Sequence, residues 1–161
     1  MLRTMKILLV VTVASWGFVG ALHNVIDWGE TTGAVGAATS MATFDQGPAS
    51  WQATNNLLVV WLGALFIVLS KIAAGVLCAV GAFKMWQTRD GDVDAFANAK
   101  TFALSGCAIA IILLFGGFVV IADSWFELWR SDTLRAPVLD SAFRYGGMIA
   151  LIAIFVGQTN D

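Results

Sequence analysis

Long runs of apolar residues, separated by shorter polar segments, are the dominant pattern along the chain. A helix that crosses the hydrocarbon core of a bilayer needs about 20 predominantly apolar residues, because each residue adds about 1.5 Å to its length. Four runs meet or approach this length. The predicted spans are residues 7–26, 57–83, 101–122 and 137–157. The pattern therefore predicts an all-α fold, an integral membrane four-helix bundle that forms a single membrane domain over residues 1–161.

Two of these spans need a further argument. The strongly apolar part of the fourth, 145–157, is short, and it reaches spanning length only if its helix begins near Pro137, a residue favoured in first turns. The first span also has features of a signal peptide, since Arg3 and Lys6 precede the apolar run and residues 19–21 resemble a cleavage site. We interpret this first run as a retained span.

The distribution of lysine and arginine predicts the orientation of the spans. Basic residues are enriched in cytoplasmic loops of membrane proteins. The segment 27–56 contains neither lysine nor arginine, whereas the N-terminus and the segment 84–100 together contain five. We therefore expect both termini and an inner loop, 84–100, on the cytoplasmic side. The segments 27–56 and 123–136 are then outer loops of a multi-pass protein in a bacterial inner membrane.

Composition excludes an ordinary soluble enzyme. The chain has 161 residues, of which 58% are hydrophobic and 12% charged, whereas soluble domains average about 25% charged residues. The net charge is −2, and the nine basic residues are spread along the chain without a basic aromatic patch. We therefore expect membrane lipids as partners and no nucleic acid.

Small residues recur at four-residue spacing in every predicted span. Helices in a bilayer associate by close packing of such residues. The clearest series are Ser70, Ala74, Cys78 and Ala82; Ala103 and Cys107; Gly106 and Ala110; Gly17 and Ala21; Gly20 and Asn24; Gly146 and Ala150; and Ala153 and Gly157. An antiparallel four-helix bundle accounts for these seams. Because four helices need fewer small faces than this chain has, one seam is also a candidate contact with another integral membrane subunit.

Tryptophans mark the predicted membrane interfaces. Trp28, Trp51, Trp125 and Trp129 fall at predicted outer ends, where amphipathic rings are enriched. Trp125, Phe126 and Trp129 would share one face if the segment were helical. We expect this face to anchor the protein at the headgroups, with docking of another membrane subunit as the alternative. Arg144 is expected near the same surface, with its side chain directed outward.

Lys71 is the strongest anomaly, because it lies near the middle of the second span. A charge at the bilayer centre costs at least about 2.5–3.5 kcal/mol. The nearest candidate carboxylates, Asp27 and Asp123, are predicted at the outer edge of the membrane. A structural ion pair or a snorkelling lysine, contact with a partner subunit or cofactor, and a proton or ion relay are the three alternatives for Lys71.

His23 and Asp27 form the second candidate pair. Their four-residue spacing places both on one helical face, where a carboxylate can orient an imidazole for proton relay or quinone contact. More often such a pair is an interfacial hydrogen bond that completes the end of a helix. His23 is the only histidine, so bis-histidine haem ligation within the chain is excluded. We expect no catalytic residue, no cofactor site and no metal site.

Several segments together resemble a proteobacterial family of predicted small integral membrane proteins of unknown function. These segments are Lys6–Leu9, Asn24–Trp28, Met41–Phe44, Trp51, Phe96–Lys100, Trp125–Ser131 and Ala142–Arg144. The resemblance covers nearly the whole chain and implies four spans in an inner membrane. It also implies that acids are usual where this chain has Ala42, Ser124 and Lys71, so a carboxylate-based activity would be lost or altered here.

These observations favour a non-catalytic accessory subunit of a larger inner-membrane complex, respiratory or photosynthetic. The hypothesis depends on the surplus of small-residue seams, on the lysine within the membrane and on the lack of a catalytic group. A small homo-oligomeric transporter or channel with Lys71 lining its pathway is the alternative. A quinone-handling enzyme that uses His23 and Asp27 is a third hypothesis.

Overall fold

The computed structural model describes residues 1–159, and this part of the chain contains helices and no strand. The long elements are α1 (Leu2–Ile26), α2 (Trp28–Thr39), α3 (Leu57–Gln87), α4 (Val93–Ile111), a π-helical continuation of α4 (Ile112–Trp125), a second π-helical segment (Arg135–Asp140) and α5 (Ser141–Gly157). Two short 3₁₀ helices, Gly47–Ala49 and Leu128–Arg130, lie in the connecting segments. Among residues 1–159, four helical stretches are long and apolar enough to cross a membrane: Leu2–Ile26, Leu57–Gln87, Val93–Trp125 and Arg135–Gly157. The predicted all-α fold with four spans is confirmed, whereas the side of the membrane on which the termini lie stays a prediction.

The segment 27–56 is not simply a loop, as the sequence suggested. Helix α1 breaks at Asp27, and α2 begins at the next residue and continues along α3. A Cβ atom at Gly36 would lie 3.8 Å from the Val60 side chain, and one at Gly63 would lie 2.9 Å from Val35. Hydropathy misses α2 because its alanine, glycine and threonine residues form a helix without a long apolar run.

The predicted inner loop is also shorter than expected. Helix α3 extends to Gln87 and α4 begins at Val93, so residues 88–92 alone connect them. The Oδ1 atom of Asp92 accepts a hydrogen bond of 2.6 Å from the backbone N–H of Ala95, which caps the start of α4. Lys84 therefore lies in the last turn of α3 and Lys100 lies within α4. The sequence prediction placed both in a loop because they are charged, but a helix can carry charged residues outside the hydrocarbon core.

Helix α3 is the centre of the bundle, with α1 on one side and α4 on the other. A Cβ atom at Gly17 would lie 2.7 Å from the carbonyl oxygen of Lys71, so the backbones of α1 and α3 are in direct contact. Gly81 faces Ala103, and Gly106 faces Cys78. From the first contact to the second, the residue number falls by three on α3 (Gly81 to Cys78) and rises by three on α4 (Ala103 to Gly106). The two helices are therefore antiparallel.

Helix α5 packs at the edge of the bundle. It buries Ala142, Ile149 and Val156, which recur every seven residues along one narrow face. Of the 18-residue apolar stretch in this span, only 11% is buried, whereas 39% of the corresponding stretch in α1 is buried. Within the described residues this span is therefore the least buried of the four, although Gly146 faces Leu114 and Gly157 faces Leu104.

The two ends of the bundle are held by different contacts. At the terminal end, Arg3 donates hydrogen bonds to the carbonyl oxygens of Arg89 and Gly91, and Lys6 and Lys100 both donate to that of Gln158. The opposite end, which we call the α2 end, contains residues 40–56 and 126–138. There Arg130 donates to the Asp45 carbonyl oxygen at 3.2 Å.

Candidate functional site

An elongated cavity of about 260 Å³ lies beneath α2. Its walls come from α1, α2, α3, the π-helical continuation of α4 and the segment 126–138. The lining residues are Asn24, Thr31, Ala34, Val35, Ala38, Thr39, Val59, Gly63, Phe66, Ile67, Lys71, Leu113, Gly117, Phe118, Ile121, Ala122, Phe126, Leu128, Leu134 and Val138. Lys71 is the one charged side chain among them.

Lys71 lies near the middle of the 31-residue helix α3, at the inner end of this cavity. Its aliphatic stem crosses Gly20 of α1, where an added Cβ atom would lie 3.2 Å from its Cδ. The absence of a side chain at Gly20 therefore provides the path along which the lysine reaches the next turn of α1. There its Nζ donates a hydrogen bond of 2.5 Å to Oδ1 of Asn24.

Asn24 is held in a fixed orientation by α2. Its Nδ2 donates a hydrogen bond of 2.9 Å to Oγ1 of Thr31, and this hydroxyl donates to the Asn24 carbonyl oxygen at 3.1 Å. Thr31 is 6% exposed. Because Nδ2 is occupied by Thr31, the amide oxygen points to Lys71, and the three residues form one polar network in an apolar surrounding.

The outer wall of the cavity depends on an unusual backbone conformation. Glu127 has a φ of 50°, a left-handed conformation that is uncommon for residues other than glycine. It reverses the chain so that Phe126 and Leu128, on either side, both point inward and are 8% and 1% exposed. Phe126 thus lines the cavity instead of the membrane interface.

The expected common face of Trp125, Phe126 and Trp129 is therefore wrong. The helix ends at Trp125, so the helical spacing on which the expectation depended does not continue. Trp125 and Trp129 are 50% and 56% exposed and still suit an interfacial anchor. Trp125 stacks edge to face with Trp51 at 5.2 Å, which joins the two segments of the α2 end.

The other predicted site residues lie outside the cavity. His23 and Asp27 are both exposed, and they are joined by the backbone hydrogen bond from Asp27 N–H to the His23 carbonyl oxygen. Trp28 contacts Trp61 edge to face at 5.6 Å. Arg144 donates to the Asp140 carbonyl oxygen and to Ser141, at the start of α5. Of the predicted candidates, Lys71 and Phe126 are the two that the fold brings to one cavity.

Sequence reasoning missed Asn24 and Thr31 as functional residues. Asn24 counted as a small member of the α1 seam, although an asparagine within a membrane helix is itself a sign of a polar contact across helices. Nothing in the sequence marked Thr31 as a functional residue, because the segment 27–56 that contains it was expected to be a loop. Lys71 was recognised from its charge alone, but its partner depends on how α1 and α3 are rotated against each other.

This arrangement defines an integral membrane helical protein with a partly open amphipathic cavity between its helices. A family model described as "Predicted small integral membrane protein (DUF2165)" matches residues 2–159. The chain belongs to this family, which confirms the resemblance to predicted small integral membrane proteins, whereas the proteobacterial origin stays a prediction. No curated protein and no solved structure matches the chain.

Proposed function

We propose that this membrane protein is a non-catalytic accessory subunit of a larger complex in a bacterial inner membrane, respiratory or photosynthetic. The observation that carries the proposal is the open small-residue face of α5. Gly146, Gly147 and Ala150 line a groove of about 220 Å³ between α5 and the end of α4. A Cβ atom at Gly147 would meet nothing within 4 Å.

Glycine and alanine on a membrane helix allow close approach of another helix backbone. In α1, α3 and α4 the corresponding small residues are covered by neighbours within the chain. On α5, Gly146 lies against Leu114, whereas Gly147 is uncovered among the described residues and lies beside exposed Phe143 and Met148. The occupant proposed for this groove is therefore a transmembrane helix of another subunit, whose backbone can approach Gly146 and Gly147 closely.

The transporter or channel hypothesis is the second candidate, since Lys71 faces an internal cavity as that hypothesis requires. The walls are almost entirely apolar, however, and an aqueous pathway needs polar lining or water-filled space. The quinone-enzyme hypothesis is less well supported, because His23 and Asp27 are not among the residues that line the cavity.

The test of the accessory-subunit proposal is purification of the tagged protein from its native membrane in mild detergent, with mass spectrometry of what co-purifies. We expect one redox or photosynthetic complex in stoichiometric amount. Gly147→Leu fills the groove and should reduce this recovery about tenfold, which corresponds to a loss of about 1.4 kcal/mol. Gly29→Leu is the matched control, since Gly29 also has open space around it but lies on α2.

Recovery of this chain alone, as a discrete oligomer, would refute the proposal and favour the transporter hypothesis. Equal recovery of the complex with Gly147→Leu and with Gly29→Leu would instead show that the groove on α5 is not the contact. Recovery of the chain alone thus tests the accessory-subunit function, whereas the comparison of the two glycine variants tests whether the groove on α5 is the contact surface.

A further inference from the structure

The cavity beneath α2 has the shape of a chain-like ligand. Along α3 it extends from Lys71 to Val59, a separation of twelve residues, or about 18 Å at a rise of 1.5 Å per residue. Its volume of about 260 Å³ is below the range of about 300–1,000 Å³ that is usual for drug-sized ligands. A long and narrow space of this size suits one hydrocarbon chain and not a lipid with two chains.

The chemistry of the walls differs between the two ends. Towards the α2 end the cavity is lined mainly by apolar side chains, among them Val59, Leu134 and Val138, and the hydroxyl of Thr39 there donates to the Gly36 carbonyl oxygen. At the inner end the polar groups are those of Lys71, Asn24 and Thr31. A ligand that satisfies both ends therefore has a long apolar body and one polar headgroup.

The charge at the inner end is not balanced by a carboxylate from the described cavity walls. Asn24 supplies a neutral carbonyl oxygen, which accepts one of the three N–H donors of the Lys71 ammonium group. An unbalanced charge in hydrocarbon is costly, and ionisable groups within a membrane commonly mark a ligand or ion site. An anionic headgroup would accept the remaining donors and neutralise the charge.

We propose that the cavity binds a free fatty acid, whose carboxylate lies against Lys71 and whose acyl chain extends beneath α2. The depth of Lys71 distinguishes this source from an ordinary membrane phospholipid. The headgroup of a phospholipid lies at the membrane surface, whereas Lys71 lies near the middle of a membrane-spanning helix. This binding site is independent of the accessory-subunit proposal, which depends on α5.

The proposal is tested with a photoactivatable diazirine analogue of palmitate and with its methyl ester, using the full chain in phosphatidylcholine nanodiscs. We expect the acid to label buried residues of the cavity such as Leu113 and Leu128, which are 0% and 1% exposed, as mapped by mass spectrometry. Excess palmitate should prevent this labelling. The methyl ester, which has the same chain but no charge, should label the cavity at least about tenfold less.

Two variants separate the headgroup from the chain. Lys71→Met keeps an apolar side chain of similar length and should weaken labelling by the acid about tenfold, or about 1.4 kcal/mol. Ala122→Phe places a ring in the cavity without altering Lys71 and should prevent labelling by acid and ester alike. Lys84→Met is the control, because it removes an exposed lysine from the same helix.

Equal labelling by acid and ester, or equal labelling of Lys71→Met and the unmodified protein, would overturn the proposal. Displacement of the probe by phosphatidylglycerol but not by palmitate would assign the anion to a membrane lipid and overturn the fatty-acid source. Displacement by ubiquinone but not by palmitate would assign the cavity to a neutral headgroup. Labelling confined to the outer surface, at residues such as Leu69, would show that the cavity is not a binding site.

Discussion

Gly81→Ala is expected to destabilise the protein, although alanine is ordinarily the better residue in a helix. The added Cβ would lie 2.4 Å from the backbone nitrogen of Ala103 and 2.7 Å from its Cα. These are backbone atoms, so α3 and α4 would have to move apart. Overpacking of this kind costs about 1–3 kcal/mol, whereas the gain in helix propensity is about 1 kcal/mol.

The measurement is thermal unfolding of the purified protein in detergent, where we expect a lower Tm for Gly81→Ala. Gly106→Ala should act in the same direction, because its Cβ would lie 2.6 Å from Sγ and 2.8 Å from the backbone nitrogen of Cys78. Gly147→Ala is the control, since nothing lies within 4 Å of its Cβ position and its Tm should be unchanged or slightly higher. Equal Tm values for Gly81→Ala and Gly147→Ala would contradict the close packing of α3 and α4.

The four spans were predictable because hydropathy depends on local composition, which a bilayer selects strongly. Hydropathy underestimated the lengths of α3 and α4, because their ends are polar. The connection between them is residues 88–92, whereas an inner loop over 84–100 was expected. Hydropathy also missed α2, whose stability comes from packing against α3 and not from an apolar run. Span positions are thus encoded locally, whereas helix ends and α2 depend on tertiary contacts.

The cavity was predictable only in part. Lys71 was visible as a charge in an apolar run, but its contact with Asn24 depends on the register of α1 against α3. The inward position of Phe126 follows from the left-handed backbone of Glu127. This conformation is uncommon for glutamate and could not be predicted from the residue type. Pairing across helices and irregular backbone are set by the whole fold, and spacing along the chain carries little information about either.

The open face of α5 and the buried network at Lys71 lead to separate functional conclusions. The α5 face is a surface between helices, so its occupant is expected to match a helix in shape. The cavity lies between helices, has one charged residue among mainly apolar walls and is partly open, so its occupant is expected to match an amphiphile in shape and charge. Because Gly147 and Lys71 lie on different elements, the variants proposed for each should leave the other property unchanged.

Replacing Lys6 and Lys100 together with methionine is expected to release the C-terminal end of α5. Both ammonium groups donate to the carbonyl oxygen of Gln158, at 2.8 and 2.9 Å, and so join α5 to α1 and α4. The last carbonyl groups of a helix lack partners within the helix, and cations near them are favourable. A hydrogen bond that involves a charged group contributes about 1.5–3 kcal/mol.

Hydrogen–deuterium exchange of the last turns of α5 measures this effect. The double variant Lys6→Met/Lys100→Met should accelerate exchange by at least about tenfold, equivalent to about 1.4 kcal/mol of local stability. Each single variant should have a much smaller effect, because the remaining lysine still donates to the Gln158 carbonyl oxygen. The double variant should therefore exceed the sum of the single variants, which identifies the two residues as coupled.

Arg144→Met removes a positive charge from the opposite end of α5 and serves as the control for net charge. Its guanidinium group contacts Asp140 and Ser141, so exchange in the last turns should not change. Additive effects of the two lysine variants would mean that each lysine holds the helix end separately. Unchanged exchange in the double variant would mean that apolar packing of Ile149 and Val156 alone keeps α5 against the bundle.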